Sequence, residues 1–426
     1  MTKIKPFKAI VYNQGKIDNL TEIVCPPYDI ISPAQQEYYH KRSRYNLIHI
    51  LLGKDIPGDD KYRRASNYFK DWLKDKIFIQ DEKAGIYFYS QQYNFRGETK
   101  TRLGFIALLG LAEGKQTIFG HERTRLEPKE DRLKLLKSVK ANLSPIFVIF
   151  QDKKRVVQTT YQQFILQREP IIEIVDGEKV THRLWRLDQE ELLEKIQTGL
   201  KDANIFIADG HHRYEVASNF RDEMKKKLGQ ITGEEDFNYL MAYFTNIESN
   251  GLTILPIHRL VKLDANFESG DFRLRLKKYF DIEEIKDKTR LFFLMQKAGM
   301  SEHVFGIYKD KRYWFLRLKN VKIIDKVINE RLPAYRSLDV SILNYLVLKD
   351  ILGIALEDKE KILFSVQVDE LIESVDNDSS YIAFFLNPVK MKQVMWIALS
   401  GDKMPAKSTY FYPKPISGLT INKIEA

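Results

Sequence analysis

Cysteine is almost absent: one, Cys25, occurs in 426 residues. That excludes an intrachain disulfide framework and any zinc site built from several thiolates. It also fits a reducing compartment. No apolar run approaches the roughly 20 residues needed to span a bilayer. The opening residues, MTKIKPFKAIVYN, have lysines but no apolar core behind them, so no signal peptide and a cytoplasmic location are expected. Internal repeats, low-complexity tracts and a Pro/Gly/Ser linker are missing too. So are the Walker GxxxxGK[ST] loop, the dinucleotide glycine fingerprint, the kinase HRD and DFG pair and the GxSxG elbow, which disfavours the common nucleotide folds.

What is present belongs to an ordered globular chain. Hydrophobic residues make up 44%, charged residues 30% and aromatics 12%, enough for a sizeable core. Lys and Arg number 68 against 58 Asp and Glu, a net charge of +10. That excess favours anionic partners: a nucleotide, a phosphorylated metabolite or nucleic acid. The basic residues are dispersed, with no basic tail, so a lysine-rich solvated surface explains the sum as well.

Helical and strand-like segments alternate. Residues 59–76 space Tyr62, Ala65, Phe69, Trp72 and Leu73 as a helix, with an aspartate pair at its start. Residues 85–112 read as two strands joined at Arg96-Gly97-Glu98, and 171–187 as a hairpin around Asp176-Gly177. Helices are expected at 127–141, 339–352 and 389–398; strands at 144–150, 239–247, 251–261 and 381–387. The lysine-rich stretch from about 265 to 330 shows less regularity. The tail, 401–421, reads as an ordered loop folded onto the protein. The division expected is a motif-bearing domain over 1–264 and a C-terminal α+β region over 265–426 that closes on it.

The richest stretch is IFIADGHHRYEVA, residues 205–217. Residues 204–209 should be a buried strand and 212–226 a helix, with Asp209 and Gly210 between them. Glycine permits the tight turn and close approach of a ligand. The first turn of the helix then offers N–H groups and a positive dipole end to a phosphate. His211, His212 and Arg213 add donors and charge, and arginine suits bidentate phosphate contacts. Arg213 has no evident partner in its own turn apart from Glu215, which lies off its helical face. Its guanidinium is therefore expected to face a pocket. The bland alternative is a turn, a capped helix and surface charges. Against it, four polar groups clustered after a buried strand need partners. A metal reading would use His211 and Glu215 on one helical face. A magnesium ion arriving with a nucleotide asks less of the protein, and no residue is assigned as a metal ligand.

Other constellations stand apart in sequence. GHERT (120–124) sets His121 beside Glu122, residues suited to proton transfer; the alternative is a polar loop. If it shares one site with the 209–213 loop, His121 or Glu122 should lie within about 10 Å of it. ILPIHR (254–259) offers His258 and Arg259, though a satisfied core histidine is the plainer reading. In the tail, Lys407, Ser408 and Thr409 could contact an anion or satisfy loop backbone. CPPYDIIS (25–32) is a rigid turn whose Cys25 shows no sign of activation.

Taken in order, CPPYDIIS, GHERT, EDRLKLLKSVKANLSPIF, IADGHHRYEVA, NGLTILPIHRLV and MPAKSTYFYPK resemble the domain-of-unknown-function 1015 family over nearly the whole chain. The DGHHRYE loop alone is similar to ParB/sulfiredoxin-like nucleotide-binding proteins, including free-serine kinases. That resemblance implies that Gly210, His211, His212 and Arg213, with Glu215 nearby, bind phosphate and that Asp209 belongs to the reaction centre. No cysteine stands where sulfiredoxin places its reactive thiol, and no helix-turn-helix is evident as in ParB.

The expectation is an α+β protein with a mixed sheet, a ParB/sulfiredoxin-like strand–loop–helix phosphate site and a smaller C-terminal α+β part. Its expected function is ATP- or ADP-dependent phosphotransfer, with Mg2+, to a small hydroxyl metabolite such as free serine. Asp209 or Glu122 would take the hydroxyl proton. His121, then His258 and Arg259, are further candidates. The alternatives are a non-catalytic nucleotide switch or nucleic-acid-associated protein, and a metal-dependent hydrolase.

Overall fold

The structure, a computed structural model, describes residues 1–111, 117–122, 126–265, 267–328, 331–358 and 360–425; of 126 and 127 only the backbone is described. The chain forms two compact units. The first comprises 1–120, 124–253 and 413–426, and the second 121–123 and 254–412.

The first unit is built on a nine-stranded mixed sheet. Eight of its strands run in the order 118–120, 205–209, 146–150, 239–246, 98–110, 86–95, 181–187, 172–175, and Ile4–Lys5 adds to the 98–110 strand. Two neighbouring pairs are parallel, 205–209 with 118–120 and 239–246 with 146–150; the others are antiparallel. The central Ile146–Phe150 strand is buried at every residue, as an uninterrupted apolar run requires. The 86–110 hairpin turns at Arg96 (φ 54°) and Gly97 (φ 83°), the pair of positive φ values that suits the twist of a two-residue loop. On one face, Phe88, Phe105, Val148 and Ile207 pack with Val157, Leu193 and Ile196 from helical segments. The Lys61–Lys74 helix has Asp60 as its cap, accepting from the N–H groups of Tyr62 and Arg63.

The 171–187 hairpin differs in detail from its expected turn. The loop runs over 176–180, and the positive φ falls on Lys179, not on Gly177. Asp176 organises it by accepting from the N–H groups of Glu178 and Val180, a local capping role that the Asp-Gly pair did not signal.

The second unit has a six-stranded antiparallel sheet in the order 280–285, 312–318, 304–309, 381–385, 258–262, 362–365. One face packs on the helical segment Leu343–Ile351, the other on Leu291, Met295, Leu371 and Val375. The 265–330 stretch, expected to be irregular, supplies three of these strands and the helices Ser269–Lys277 and Lys288–Ala298. Each is short, and lysine and glutamate on the outer faces dilute its apolar period. Over 339–352 the helix begins as α at Asp339–Ile342 and continues with π geometry over Leu343–Ile351. Together the mixed sheet and the smaller C-terminal part make an α+β protein. Among the described residues no helix is long and apolar enough to cross a membrane.

Candidate functional site

The Ile205–Asp209 strand is buried along its whole length, between the 118–120 and 146–150 strands. Its register shifts between Ile207 and Asp209, an irregularity of the kind that re-aims a strand's side chains. Gly210 then turns at φ +89°, and the 18-residue helix His211–Leu228 begins. A Cβ at Gly210 would stand 2.8 Å from Ile146 Cγ2 and 3.1 Å from Arg213 Nε. Both the backbone angle and the lack of space therefore require glycine. Val216, Ala217 and Phe220 bury the inner face of the helix.

This turn folds the helix back over the strand end. Arg213 Nη2 donates to Asp209 Oδ2 at 2.8 Å, and Nη1 donates to the Pro145 carbonyl at 2.5 Å. Within its own turn only Glu215 was expected beside Arg213. Its partner lies four residues earlier, across the left-handed glycine. The other carboxylate oxygen of Asp209 pairs with Lys414 Nζ. Asp209 and Lys414 are both about nine-tenths buried or more, which matters because a buried charge is tolerated chiefly when paired. His211 is buried and His212 half-buried. Glu215 pairs with Lys129 of the Leu126–Val139 helix at 2.8 Å.

A cavity of about 60 Å3 lies beside the first two turns of this helix. Tyr28, Leu51, Arg132, Ser144, Arg213 and Val216 are among its walls. Arg132 lies over the Tyr28 ring at 4.3 Å and donates to the Leu51 carbonyl at 2.6 Å. Burial, helped by Asp29, pushes the Tyr28 hydroxyl up to about 12, against the pull of Arg213 and Arg132. Three sequence motifs, CPPYDIIS, EDRLKLLKSVKANLSPIF and IADGHHRYEVA, therefore meet at this place. Lys414, from the end of MPAKSTYFYPK, joins them on Asp209. Sequence reading missed Lys414. Its signal was a lone lysine between prolines in an aromatic tail. Cys25 is buried, and burial raises its thiol well above the ordinary range, as suits an inert cysteine.

The remaining candidates gather in the second unit. His121 Nε2 and Thr409 Oγ1 are 3.0 Å apart, and the His121 carbonyl accepts from Met404 N–H at 2.7 Å. Glu122 Oε1 accepts from Lys407 N–H at 3.4 Å. Lys407 takes a positive φ, 57°, and its carbonyl accepts from Arg259 Nη2 at 3.0 Å. Ser408 donates to the Pro405 carbonyl. His121, Glu122, Lys407, Ser408, Thr409 and Arg259 thus form one network. His258 stands outside it. It accepts from Leu386 N–H through Nδ1 and packs on Phe385, and burial pushes it down to about 3. Arg123 and Thr124 of GHERT lie outside the described residues. Among the described residues no group of three or more His, Cys, Asp or Glu is arranged to hold a metal ion.

Fold and site define the class: an α+β protein with an Asp–Arg–Lys cluster where a buried strand turns through glycine into a long helix. The chain belongs to the family described as "Protein of unknown function (DUF1015)", whose model matches residues 4–341. No curated protein matches it. Among solved structures it is similar to a free serine kinase variant in complex with ADP, at 14% identity and TM-score 0.36, covering 75% of this chain and 92% of that one. A free serine kinase in complex with AMP matches at 14% and 0.36, over 75% and 91%. A conserved hypothetical protein from Pyrococcus furiosus matches at 14% and 0.34, over 74% and 95%.

Proposed function

We propose that this protein is a nucleotide-dependent phosphotransferase acting on a small hydroxyl substrate such as free serine. Its phosphate site would be the turn at Asp209–Arg213. The observation that carries the reading is Gly210, held at φ +89° with no room for a Cβ, opening an 18-residue helix at the end of a buried strand. Such a turn puts backbone N–H groups and the positive end of the helix dipole at one point. Arg213 and Lys414 bring two cations to that point, each on one oxygen of Asp209. The similarity of the DGHHRYE loop to nucleotide-binding loops supports the same assignment.

In this reading Gly210, His211, His212 and Arg213 hold phosphate oxygens and stabilise charge that develops in transfer. Asp209 is the carboxylate assigned to the hydroxyl proton. Asp209 has a cation on each oxygen, so accepting a proton there requires one ion pair to open. The paired state of Asp209 does not suit a protein-held Mg2+; the ion would come with the nucleotide phosphates, which ask for few protein ligands.

The test is calorimetric titration of the protein with ADP and ATP in the presence of Mg2+, followed by a phosphotransfer assay on serine and related hydroxyl compounds. Binding with turnover is the expected result. Binding without turnover on any acceptor would replace the kinase reading with a nucleotide switch. Absence of binding would remove the phosphate site.

A further inference from the structure

Thirteen described residues wall the cavity beside the first two turns of the His211–Leu228 helix; eight of them are apolar and none is acidic. Three of the five polar ones are engaged elsewhere. Arg132 donates to Asp131 and to the Leu51 carbonyl. Asn142 Oδ1 accepts from Met241 N–H and from Asn422 Nδ2, each at 3.1 Å. The hydroxyls of Ser144 and Ser417 meet at 2.6 Å. The segment that carries Ser417 is itself fixed. The Pro413 and Lys414 carbonyls accept from Arg102 and Gln91, and Ser417 exchanges both backbone hydrogen bonds with Cys25. The wall is therefore preformed. Two donors remain in it. Arg213 Nε is buried and has no hydrogen-bond partner among the described residues. The Tyr28 hydroxyl makes no hydrogen bond among them either, and it stands close enough to Arg213 and Asp209 to feel both charges.

Size and lining together select a ligand. An apolar cavity of about 150 Å3 takes one benzene ring. At about 60 Å3, this one is too small for an aromatic ring or a nucleobase and holds roughly two or three aliphatic carbons. Unengaged donors beside an apolar hollow suit an alkyl group that ends in an acid. With no carboxylate in the wall, an ammonium group would find no partner there. We propose that this cavity selects the acceptor, and that the acceptor is a short-chain aliphatic hydroxy acid: its alkyl group fills the cavity and its carboxylate accepts from Arg213 Nε and the Tyr28 hydroxyl. The role as acceptor rests on the phosphotransfer reading above; the binding site does not. Free serine, with an ammonium and no alkyl group beyond its hydroxymethyl, becomes the poorer ligand.

The probes are glycolate, lactate, 2-hydroxybutyrate and L-serine, titrated into wild type and followed by ligand-observed NMR. Affinity should rise about fourfold for each carbon added from glycolate to 2-hydroxybutyrate, and serine should bind more weakly than lactate. A flat series, or tighter binding of serine than of 2-hydroxybutyrate, would overturn the proposal. Leu135 is a buried wall residue; Leu135→Ala enlarges the hollow and should move the preference to 2-hydroxyhexanoate. Tyr28→Phe should weaken every acid by about 10- to 150-fold, the effect of one hydrogen bond to a charged group, and keep the order of the series. If neither variant changes binding, the acids bind elsewhere and the cavity is a packing void only. Thermal melts serve as the folding check; should Leu135→Ala fail to fold, the wild-type series and Tyr28→Phe decide the matter. Binding of 2-hydroxybutyrate without binding of ADP or ATP would keep the pocket and remove the phosphotransfer reading. Binding of ADP with none of the four probes bound would remove the pocket and leave the phosphate site standing.

Discussion

Two histidine–arginine pairs, His212–Arg213 and His258–Arg259, both adjoin apolar strands, and the fold puts them to different uses. Arg213 follows a left-handed glycine, stands on a helix and pairs with a carboxylate. Arg259 sits within a strand, 1% exposed, and donates to the carbonyls of Ile257 and Lys407 while its guanidinium lies over Phe364 at 4.6 Å. Burial draws the Arg259 guanidinium down to about 9. The lesson concerns what a buried cation can exchange. A carboxylate partner can be traded for a phosphate. Two backbone carbonyls cannot be traded without opening the fold.

The comparison breaks first at Arg259. Arg259→Met should cost about 2–5 kcal/mol, since the buried Ile257 carbonyl and the part-buried Lys407 carbonyl lose their donor and the stack on Phe364 is lost. Urea denaturation would measure it, and nucleotide affinity in the folded fraction should not change. A variant as stable as wild type would make Arg259 as replaceable as any surface residue.

The next largest effect is set by pH. His258 titrates at about 3 in the fold against an ordinary 6.5, so the unfolded chain takes up the proton first. Its contribution to stability is complete above about pH 6.5 and is lost as pH falls towards 3. Between about pH 6.5 and 4.5 that loss amounts to roughly 2–3 kcal/mol. Chemical denaturation of wild type and His258→Phe at the two pH values should show a smaller drop in the variant. Equal drops would mean that other groups govern the acid response.

Arg213 gives an effect of similar size on a different observable. Arg213→Ala should weaken ADP by about 10- to 150-fold, roughly 1.5–3 kcal/mol. It should unfold in denaturant closer to wild type than Arg259→Met does, because Lys414 still balances Asp209. The smallest effect belongs to Glu215. Its pairing with Lys129 is two-fifths exposed, and such pairs contribute about 0–1 kcal/mol. Glu215→Gln should leave both the melt and ADP binding close to wild type; a large loss of affinity would return Glu215 to the phosphate site.

Much of this was legible in the sequence where local chemistry decides the matter. The 204–209 strand, Gly210 and the helix after it follow from an apolar run, one glycine and a helical period. Asp60 was readable as a cap and Arg96-Gly97 as a turn. What escaped depends on distant pairing. Nothing near Arg213 shows that a left-handed glycine will swing it onto Asp209. Nothing near Lys414 shows that Arg102, Gln91 and Cys25 will hold its backbone. The second sheet escaped because strands such as FDIEEI (280–285) expose charge on one face and are too short to stand out.

The second unit interrupts the first in sequence, since residues 413–426 belong to the first unit and pair with its Ile10, Cys25 and Asn142. During synthesis the Asp209 turn therefore emerges about two hundred residues before Lys414 does. Until then Asp209 lacks this ammonium, and Cys25, Ser144 and Asn142 await Ser417 and Asn422. The turn is then completed last, by a stretch of fourteen residues that acts as a closing stitch.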